Sequence, residues 1–220
     1  MDEHNGGMTL LPGATAKARL RSALRTARAD LEPGDRRAQS VDLARVVADH
    51  ADGLLHGAGA RSGPRPLVTA YLAGDPEPDT APLLAELRAR GIDVVLPVCD
   101  PGYRLSWVLW SPDIAVERSV RAPVLEPVGP RRAFGDLAGV GLILVPALGV
   151  DRSGHRVGQG GGYYDRFLAE VPSAVPRWGV VYRSEVLADG VIPVEPHDQR
   201  LDGIFTADGP LYVRQSGAAV

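Results

Sequence analysis

Apolar positions recur along this chain with two different periods. From Thr15 onward Leu20, Leu24 and Leu31 fall at helical spacing with alanines between them, and Pro33-Gly34 is a stop signal. Asp35 is a candidate N-cap for a second helix whose apolar face would carry Val41, Ala44, Val47 and Ala48. The stretch His56–Pro66, HGAGARSGPRP, reads as a loop. Beyond it, strand-like and helix-like segments alternate. Leu67–Leu72 predicts a strand. Asp79 or Thr80 can cap a helix with Leu83, Leu84 and Leu87 that ends at Gly91. Ile92–Val98 and Leu105–Leu109 predict two more strands, and Pro112–Leu137 is Pro-rich and irregular. Leu142–Val145 is a short, continuous apolar run, as expected of a central strand covered on both faces. A Gly-rich segment, a helix from about Tyr163 to Val171 closed by Pro172, and strands at Gly179–Tyr182 and Gly203–Thr206 complete the pattern. The alternation predicts an α/β fold. It would be a three-layer open sheet, mostly parallel, with helices on both faces and a Gly-rich strand-loop-helix phosphate site. Antiparallel pieces are expected near the C-terminal end. No internal repeat is evident.

Composition narrows the class. With 220 residues, 45% of them hydrophobic, the chain can bury a sizeable core. One domain over 15–210 is expected, with residues 1–14 a disordered lead and 211–220 a C-terminal tail. A net charge of −3 supplies no general basic field, so no nucleic-acid partner is expected. The opening MDEHNGGMTL does not resemble a signal peptide. The longest apolar stretch, around Val140–Val150, is broken by Pro146 and Gly149, well short of the ~20 residues a spanning helix needs. Cys99 is the only cysteine, which points to a reducing, cytoplasmic setting. Lys17 is the only lysine among 24 basic residues. In a chain so biased towards arginine, a surviving lysine invites a functional reading.

Candidate chemistry is densest in Gly149–Asp165, GVDRSGHRVGQGGGYYD, where five glycines fall between Gly154 and Gly162. Placed between a buried strand and a helix, such glycines let consecutive main-chain N–H groups form an anion-binding nest. The helix N-terminus adds ~0.3–1 kcal/mol for a bound anion. Arg156 could add a bidentate phosphate contact, and Asp165 stands where a phosphate-bound divalent cation would need a carboxylate. The pattern fits neither the Walker motif nor G-x-G-x-x-G, and composition alone also allows a merely flexible loop. Lys17 and Arg21 share one face of the first helix, either as a solvated basic face or around an anion. Glu195, Asp198 and Asp202 form an acidic group near the last strands, read either as loop polarity or as metal ligands beside Asp165.

Together these pieces resemble the 5-formyltetrahydrofolate cyclo-ligase family, over roughly Thr15 to Thr206. The motifs are K-x-x-x-R at Lys17–Arg21, YLAGDPEPDT with Glu77, GVDRSGHRVGQGGGYYDR, and PHDQRLD at Pro196–Asp202. The resemblance implies an ATP site of Lys17, Arg21, Arg156, Val157, Gly158, Gln159, Gly160, Gly161, Gly162, Tyr163 and Tyr164. It implies folate contacts from Leu72, Glu77, Gln159, Gly160, Gly161, Gly162 and Tyr163, and Mg2+ at Asp165 and Asp198. Lys17, Arg156 and Tyr163 would act in the reaction itself. Some members carry basic residues where this chain has Gln159 and Gly161, which bears on nucleotide affinity more than on reaction type.

The implied reaction turns 5-formyltetrahydrofolate and ATP into 5,10-methenyltetrahydrofolate, ADP and phosphate. ATP phosphorylates the formyl oxygen, N10 attacks the formyl carbon, and the oxygen leaves as phosphate. Positioning and charge neutralisation suffice, without a protein nucleophile. A monomer acting on these small molecules is expected. Trp107 and Trp110 read as core or rim aromatics rather than stacking platforms, and Cys99 as a small apolar group. His155 reads as loop polarity, and His197 as a neighbour able to orient Asp198. Two rivals stand beside this reading: a sugar-phosphate isomerase or CoA-transferase-like enzyme on a similar sheet, and a non-catalytic folate or nucleotide binder.

Overall fold

A computed structural model describes residues 12–56 and 65–213. Helix α1 (Pro12–Ala29) and helix α2 (Pro33–His56) open the chain. Pro33 and Gly34, expected to end the first helix, instead begin the second. Pro is suited to a first helical turn because its missing N–H has no intrahelical partner there. The face of α2 is also rotated from expectation. Leu43, Ala44, Val47, Ala48 and Ala51 are buried, whereas Val41 is exposed.

The alternating half of the chain builds β1 (Leu67–Thr69), α3 (Ala81–Ala89), β2 (Asp93–Asp100), β3 (Arg104–Leu109), β4 (Val116–Arg118), β5 (Leu125–Pro127) and β6 (Val140–Pro146). Next come β7 (Gly149–Asp151), β8 (Arg156–Val157), α4 (Tyr163–Glu170), β9 (Arg177–Val180), β10 (Val186–Leu187), β11 (Gly203–Thr206) and β12 (Gly209–Tyr212). The main sheet has seven strands in the order β12-β11-β9-β6-β1-β2-β3. Its five inner strands are parallel, and both edges are antiparallel, β2 with β3 and β11 with β12. The antiparallel edge in the first half, β2–β3, is a departure from expectation. Leu211 and Tyr212, expected in the tail, pair with Ile204 and Gly203 and belong to the sheet. The expected lead and tail otherwise fall mostly outside the described residues, as does most of the 56–66 loop.

The apolar run Leu142–Val145 lies at the centre of the sheet, and its alternation splits the core in two. Leu142 and Leu144 join Val68, Val94, Leu96, Trp178 and Phe205 under α2 and α3. Ile143 and Val145 face the other way with Leu67, Val95, Trp107 and Ile204, covered by Phe167 and Leu168 of α4. Two buried faces are what a parallel sheet between helical layers requires. Trp107 is fully buried against Phe134 and Phe167, so it is a core aromatic. The Pro-rich 112–137 region carries only the β4–β5 ribbon and a 3-10 turn at Phe134–Asp136.

The glycine loop does not spring directly from the central strand. The chain leaves β6, turns through the β7–β8 hairpin of a separate three-stranded sheet, β10-β7-β8, and only then enters the loop and α4. Asp151 shapes that hairpin. Fully buried, it accepts the Ser153 and His155 N–H groups at 3.0 and 2.9 Å through Oδ1.

Gly203 sits opposite Trp178, and a Cβ there would lie 2.4 Å from the indole, which is itself stacked on Phe205 at 4.5 Å. Gly203→Ala should therefore cost about 1–3 kcal/mol of stability. Urea unfolding will show this as a lower midpoint at an unchanged slope.

Candidate functional site

Four segments far apart in sequence meet at the carboxyl edge of the parallel strands, where ligands bind in open α/β sheets. They are α1, the turn after β1 (residues 70–80), the hairpin-loop-helix unit 149–165, and the turn 195–199.

Helix α1 supplies one side. Lys17, Arg21, Leu24 and Arg28 recur at intervals of four, three and four and so share a face. Leu24 anchors that face against Leu148, Val157 and Ile192. The cations flanking it reach separate partners. Lys17 Nζ lies 2.5 and 2.6 Å from the two carboxylate oxygens of Asp198 and 3.0 Å from Glu195 Oε2. Arg21 Nε donates to the carbonyl of Gly158 at 3.0 Å. Arg25, one turn along, donates to both the main-chain and side-chain carbonyls of Gln159 at 3.0 and 2.9 Å. Lys17 and Arg21 therefore do not clasp a common anion here. One holds the acidic turn and the other holds the loop.

The loop itself is exposed from Gln159 to Gly161. Gly160 and Gly162 have φ of +98° and +73°, and Gly162 caps α4 in the left-handed region that side chains disfavour. Among the described residues, the N–H groups of Gly158 through Gly162 donate to no protein acceptor. They sit beside the N-terminus of α4, as an anion nest requires. The carbonyls of 158 and 159 are tied back by arginines, leaving the amides for a ligand. Val157 is buried in the core, so only its main chain can serve a nucleotide.

Arg156 is buried and bridges two segments. Its Nη2 lies 2.5 Å from Asp165 Oδ1, and its Nη1 donates to the Gln199 carbonyl at 2.9 Å. Lys17 and Arg156, two of the three cations expected to meet phosphate, thus each hold one of the two carboxylates expected to meet metal. Glu195, His197 and Asp198 bring ligand atoms within 4.8 Å of one another. That oxygen-rich set fits a hard divalent cation in kind, but Lys17 lies among the same oxygens. Asp165 is engaged by Arg156, and Asp202 accepts the Arg177 N–H at 2.8 Å, which turns it to strand pairing. His197 is exposed, 3.7 Å from Glu195 rather than against Asp198.

The opposite wall comes from the β1 turn. Glu77 accepts the Gly74 N–H through one oxygen and the Gln159 side-chain amide through the other, both at 3.1 Å. This bond joins the acid expected to meet folate to the glycine loop. Leu72 is half-buried and packs on the core below. Tyr163 meets Tyr103 edge-on at 5.5 Å, and the guanidinium of Arg166 lies 4.8 Å over the Tyr103 ring. The Tyr164 hydroxyl is buried without a partner among the described residues, and burial holds its ionisation far above the ordinary range, so it stays a neutral donor.

Sequence reading missed several members of this arrangement. Arg25, Arg28 and Glu185 belong to no motif singled out from the sequence, and Glu126 lies in the irregular region. Glu126 is buried and accepts the Cys99 N–H at 2.8 Å. The 4-3-4 spacing on α1 was the available signal for Arg28.

With this geometry in view, the comparisons with known proteins decide the family. The profile of the 5-formyltetrahydrofolate cyclo-ligase family matches residues 14–207. The chain belongs to that family. It is 36% identical over 146 residues to the 5-formyltetrahydrofolate cyclo-ligase of Mycolicibacterium smegmatis, covering 63% of this chain and 72% of that one. With the Escherichia coli cyclo-ligase it shares 33% over 103 residues, 46% of this chain and 56% of that one. The solved 5,10-methenyltetrahydrofolate synthetase of Aquifex aeolicus superposes with a TM-score of 0.67 at 26% identity, covering 93% and 96% of the two chains. The Mycoplasma pneumoniae synthetase, at 17% identity and a TM-score of 0.63, shares the fold over 87% and 98% of the two chains. The cyclo-ligase α/β sheet with its glycine loop is therefore the architecture of this chain. Among the described residues no helix is long and apolar enough to cross a membrane.

Cys99 lies beside this site without the character of a nucleophile. Burial first, and Glu126 second, push its thiol up to about 11. Since that value lies about three units above pH 8, only about one thiol in a thousand is ionised there. Alkylation by iodoacetamide at pH 8, followed by mass spectrometry, should be far slower than for a free thiol and should accelerate on unfolding in urea.

Proposed function

We propose that this chain is an ATP-dependent ligase that closes 5-formyltetrahydrofolate to 5,10-methenyltetrahydrofolate, releasing ADP and phosphate. The observation that carries the reading is the convergence on one glycine loop. Its carbonyls are held by Arg21 and Arg25, its side chain Gln159 reaches Glu77, and its amides, without a protein acceptor among the described residues, lie at the N-terminus of α4.

The chemistry fits that arrangement. A formamide oxygen is a poor leaving group, and transfer of the γ-phosphoryl group converts it into phosphate. N10 then attacks the same carbon, loses its proton, and the carbon–oxygen bond breaks. Phosphoryl transfer depends on placing donor and acceptor and neutralising charge. The amides of 158–162 would cradle the polyphosphate, with Lys17 and Arg156 as counter-charges and Tyr163 beside the transferring group. Lys17 must exchange Asp198 for phosphate when nucleotide binds, and Arg156 must loosen its hold on Asp165. The carboxylates so released, Asp165 and Asp198, are the ones that would hold Mg2+, which would further neutralise the phosphates. Glu77, Leu72 and the loop from Gln159 to Tyr163 would receive the folate. In this reading the chain from α1 through β12 is one catalytic domain acting as a cytoplasmic monomer on small molecules, with no nucleic-acid partner.

Incubation with ATP, magnesium and 5-formyltetrahydrofolate should produce the methenyl absorbance band. No band with any of the three omitted is the expected control, and no band with all three present ends the proposal. Lys17→Ala removes a charge-assisted phosphate contact and should raise the KM for ATP about ten- to a hundredfold. A KM for ATP that stays within twofold takes Lys17 out of the nucleotide site. Asp165→Asn and Asp198→Asn should each raise the magnesium needed for half-maximal rate about tenfold. An unchanged titration removes that residue from the metal set.

A further inference from the structure

Arg28 is the most buried cation of α1, at 2% exposure, and it crosses the carboxyl edge of the sheet. Its Nε lies 2.5 Å from Glu185 Oε1, and its Nη2 lies 2.7 Å from both Glu185 Oε2 and the Ala147 carbonyl. Glu185, in the 3-10 turn Arg183–Glu185, is fixed in turn by the Tyr182 N–H at 2.9 Å. The Tyr182 ring centroid is 5.8 Å from the guanidinium carbon. The donor capacity of Nε and Nη2 is therefore used up. The third, Nη1, is buried with no hydrogen-bond partner among the described residues. Its nearest carboxylate is Glu77, with Oε1 at 3.9 Å.

We infer that Arg28 is a positioning residue for Glu77: clamped by Glu185, its free Nη1 edge holds the Glu77 carboxylate at the cleft between the β1 turn and the glycine loop. The inference rests on the folate reading of that cleft. It adds a residue with no assigned contact to either substrate.

The carboxylate has three neighbours on three sides. Gly74 fixes one oxygen from within the turn. The other oxygen is shared between the Gln159 amide at 3.1 Å and the more distant Arg28. A substrate N–H donor that takes the place of Gln159 leaves the Glu77 charge balanced by Arg28. A guanidinium locked by a bidentate pair is suited to this, because it cannot follow the carboxylate outwards. A purely structural staple needs only the Nε and Nη2 contacts. The orphaned third nitrogen, aimed at an acid and kept from water, is what a positioning role explains.

A double-mutant cycle with Glu77 separates the two roles. Arg28→Met combined with Glu185→Gln removes the buried pair without leaving a lone charge. Calorimetric binding of 5-formyltetrahydrofolate should weaken about tenfold, while the KM for ATP stays within twofold. In a Glu77→Gln background the same change should cost less than twofold, because nothing is left to position. Arg28→Lys keeps the charge but not the fork, and should fall between the wild type and the uncharged variant. Equal losses in both backgrounds, or parallel weakening of ATP and formyl folate, overturn the inference. Should the uncharged variant fail to fold, Arg28→Lys runs the same cycle, and additivity there overturns it equally. A wild-type chain that does not bind the formyl folate overturns the reading of the cleft and this role together. A wild type that binds while the cycle is additive overturns the role of Arg28 alone.

Discussion

The buried pair between Arg28 and Glu185 ties the opening helix to segments that leave neighbouring strands of the sheet. Strands β9, β6 and β1 lie side by side, and the segment leaving each of them meets this one guanidinium. Glu185 comes after β9 and Ala147 after β6, while Glu77 belongs to the turn after β1. A helix that precedes the sheet in sequence has no strand crossover to fix it in place. Arg28 and the apolar anchor Leu24 perform that service instead. Burial alone would penalise both ions, and burial does push the Glu185 carboxyl up while Arg28 and the Tyr182 N–H oppose it. Removing one partner from such a pair typically costs about 3–5 kcal/mol, although a matched apolar pair can be as stable. What the ion pair adds is direction. It fixes which way the guanidinium faces at the carboxyl edge, while Leu24 seats α1 on Leu148, Val157 and Ile192 and Arg21 and Arg25 make their own contacts to the loop.

Once α1 is fixed, the absence of bases within the glycine loop changes meaning. Gln159 and Gly161 bring no charge, but Arg25 lies on Gln159 and Arg21 lies beside Gly160, where an added Cβ would be 3.3 Å from its guanidinium carbon. Positive charge is delivered across the cleft from a helix rather than from the loop. A loop of small residues tied back through its carbonyls can then turn its amides to one side.

How much of this was legible in the sequence depends on the range of each interaction. The central strand Leu142–Val145 and helix α3 with Leu83, Leu84 and Leu87 were readable because both signals are local runs of apolar residues. The four motifs of the site were readable by resemblance, because each is a short contiguous string. The unreadable parts depended on tertiary choice. The face of α2 turned away from Val41 because small residues at 44, 48 and 51 let the helix approach the sheet closely. The β7–β8 hairpin was missed because two or three residues per strand carry no period, and its shape is set by one buried acid, Asp151. Glu185 and Glu126 have no signature as buried acids, since charged residues are seldom buried without a partner and the partner lies elsewhere in the chain. Arg28 alone left a trace, in its place on the Lys17–Arg21–Leu24 stripe.

The pairing of Lys17 with Asp198, and of Arg156 with Asp165, reflects the same economy of charge. A site that receives a polyphosphate and its counter-ion, as proposed for this one, needs both cations and carboxylates within a few ångströms. Left to themselves these groups find one another, because separate half-buried charges are costlier than a pair. In the proposed function, a nucleotide arriving with a divalent cation would offer each of them an equivalent partner, phosphate for Lys17 and Arg156 and metal for the two aspartates. The exchange would conserve the number of opposite-charge contacts. Either ligand alone would break the pairs and satisfy one half of each. On that reading the internal ion pairs would favour nucleotide and cation together over either one singly, a coupling that would arise from charge balance and need no movement of the sheet.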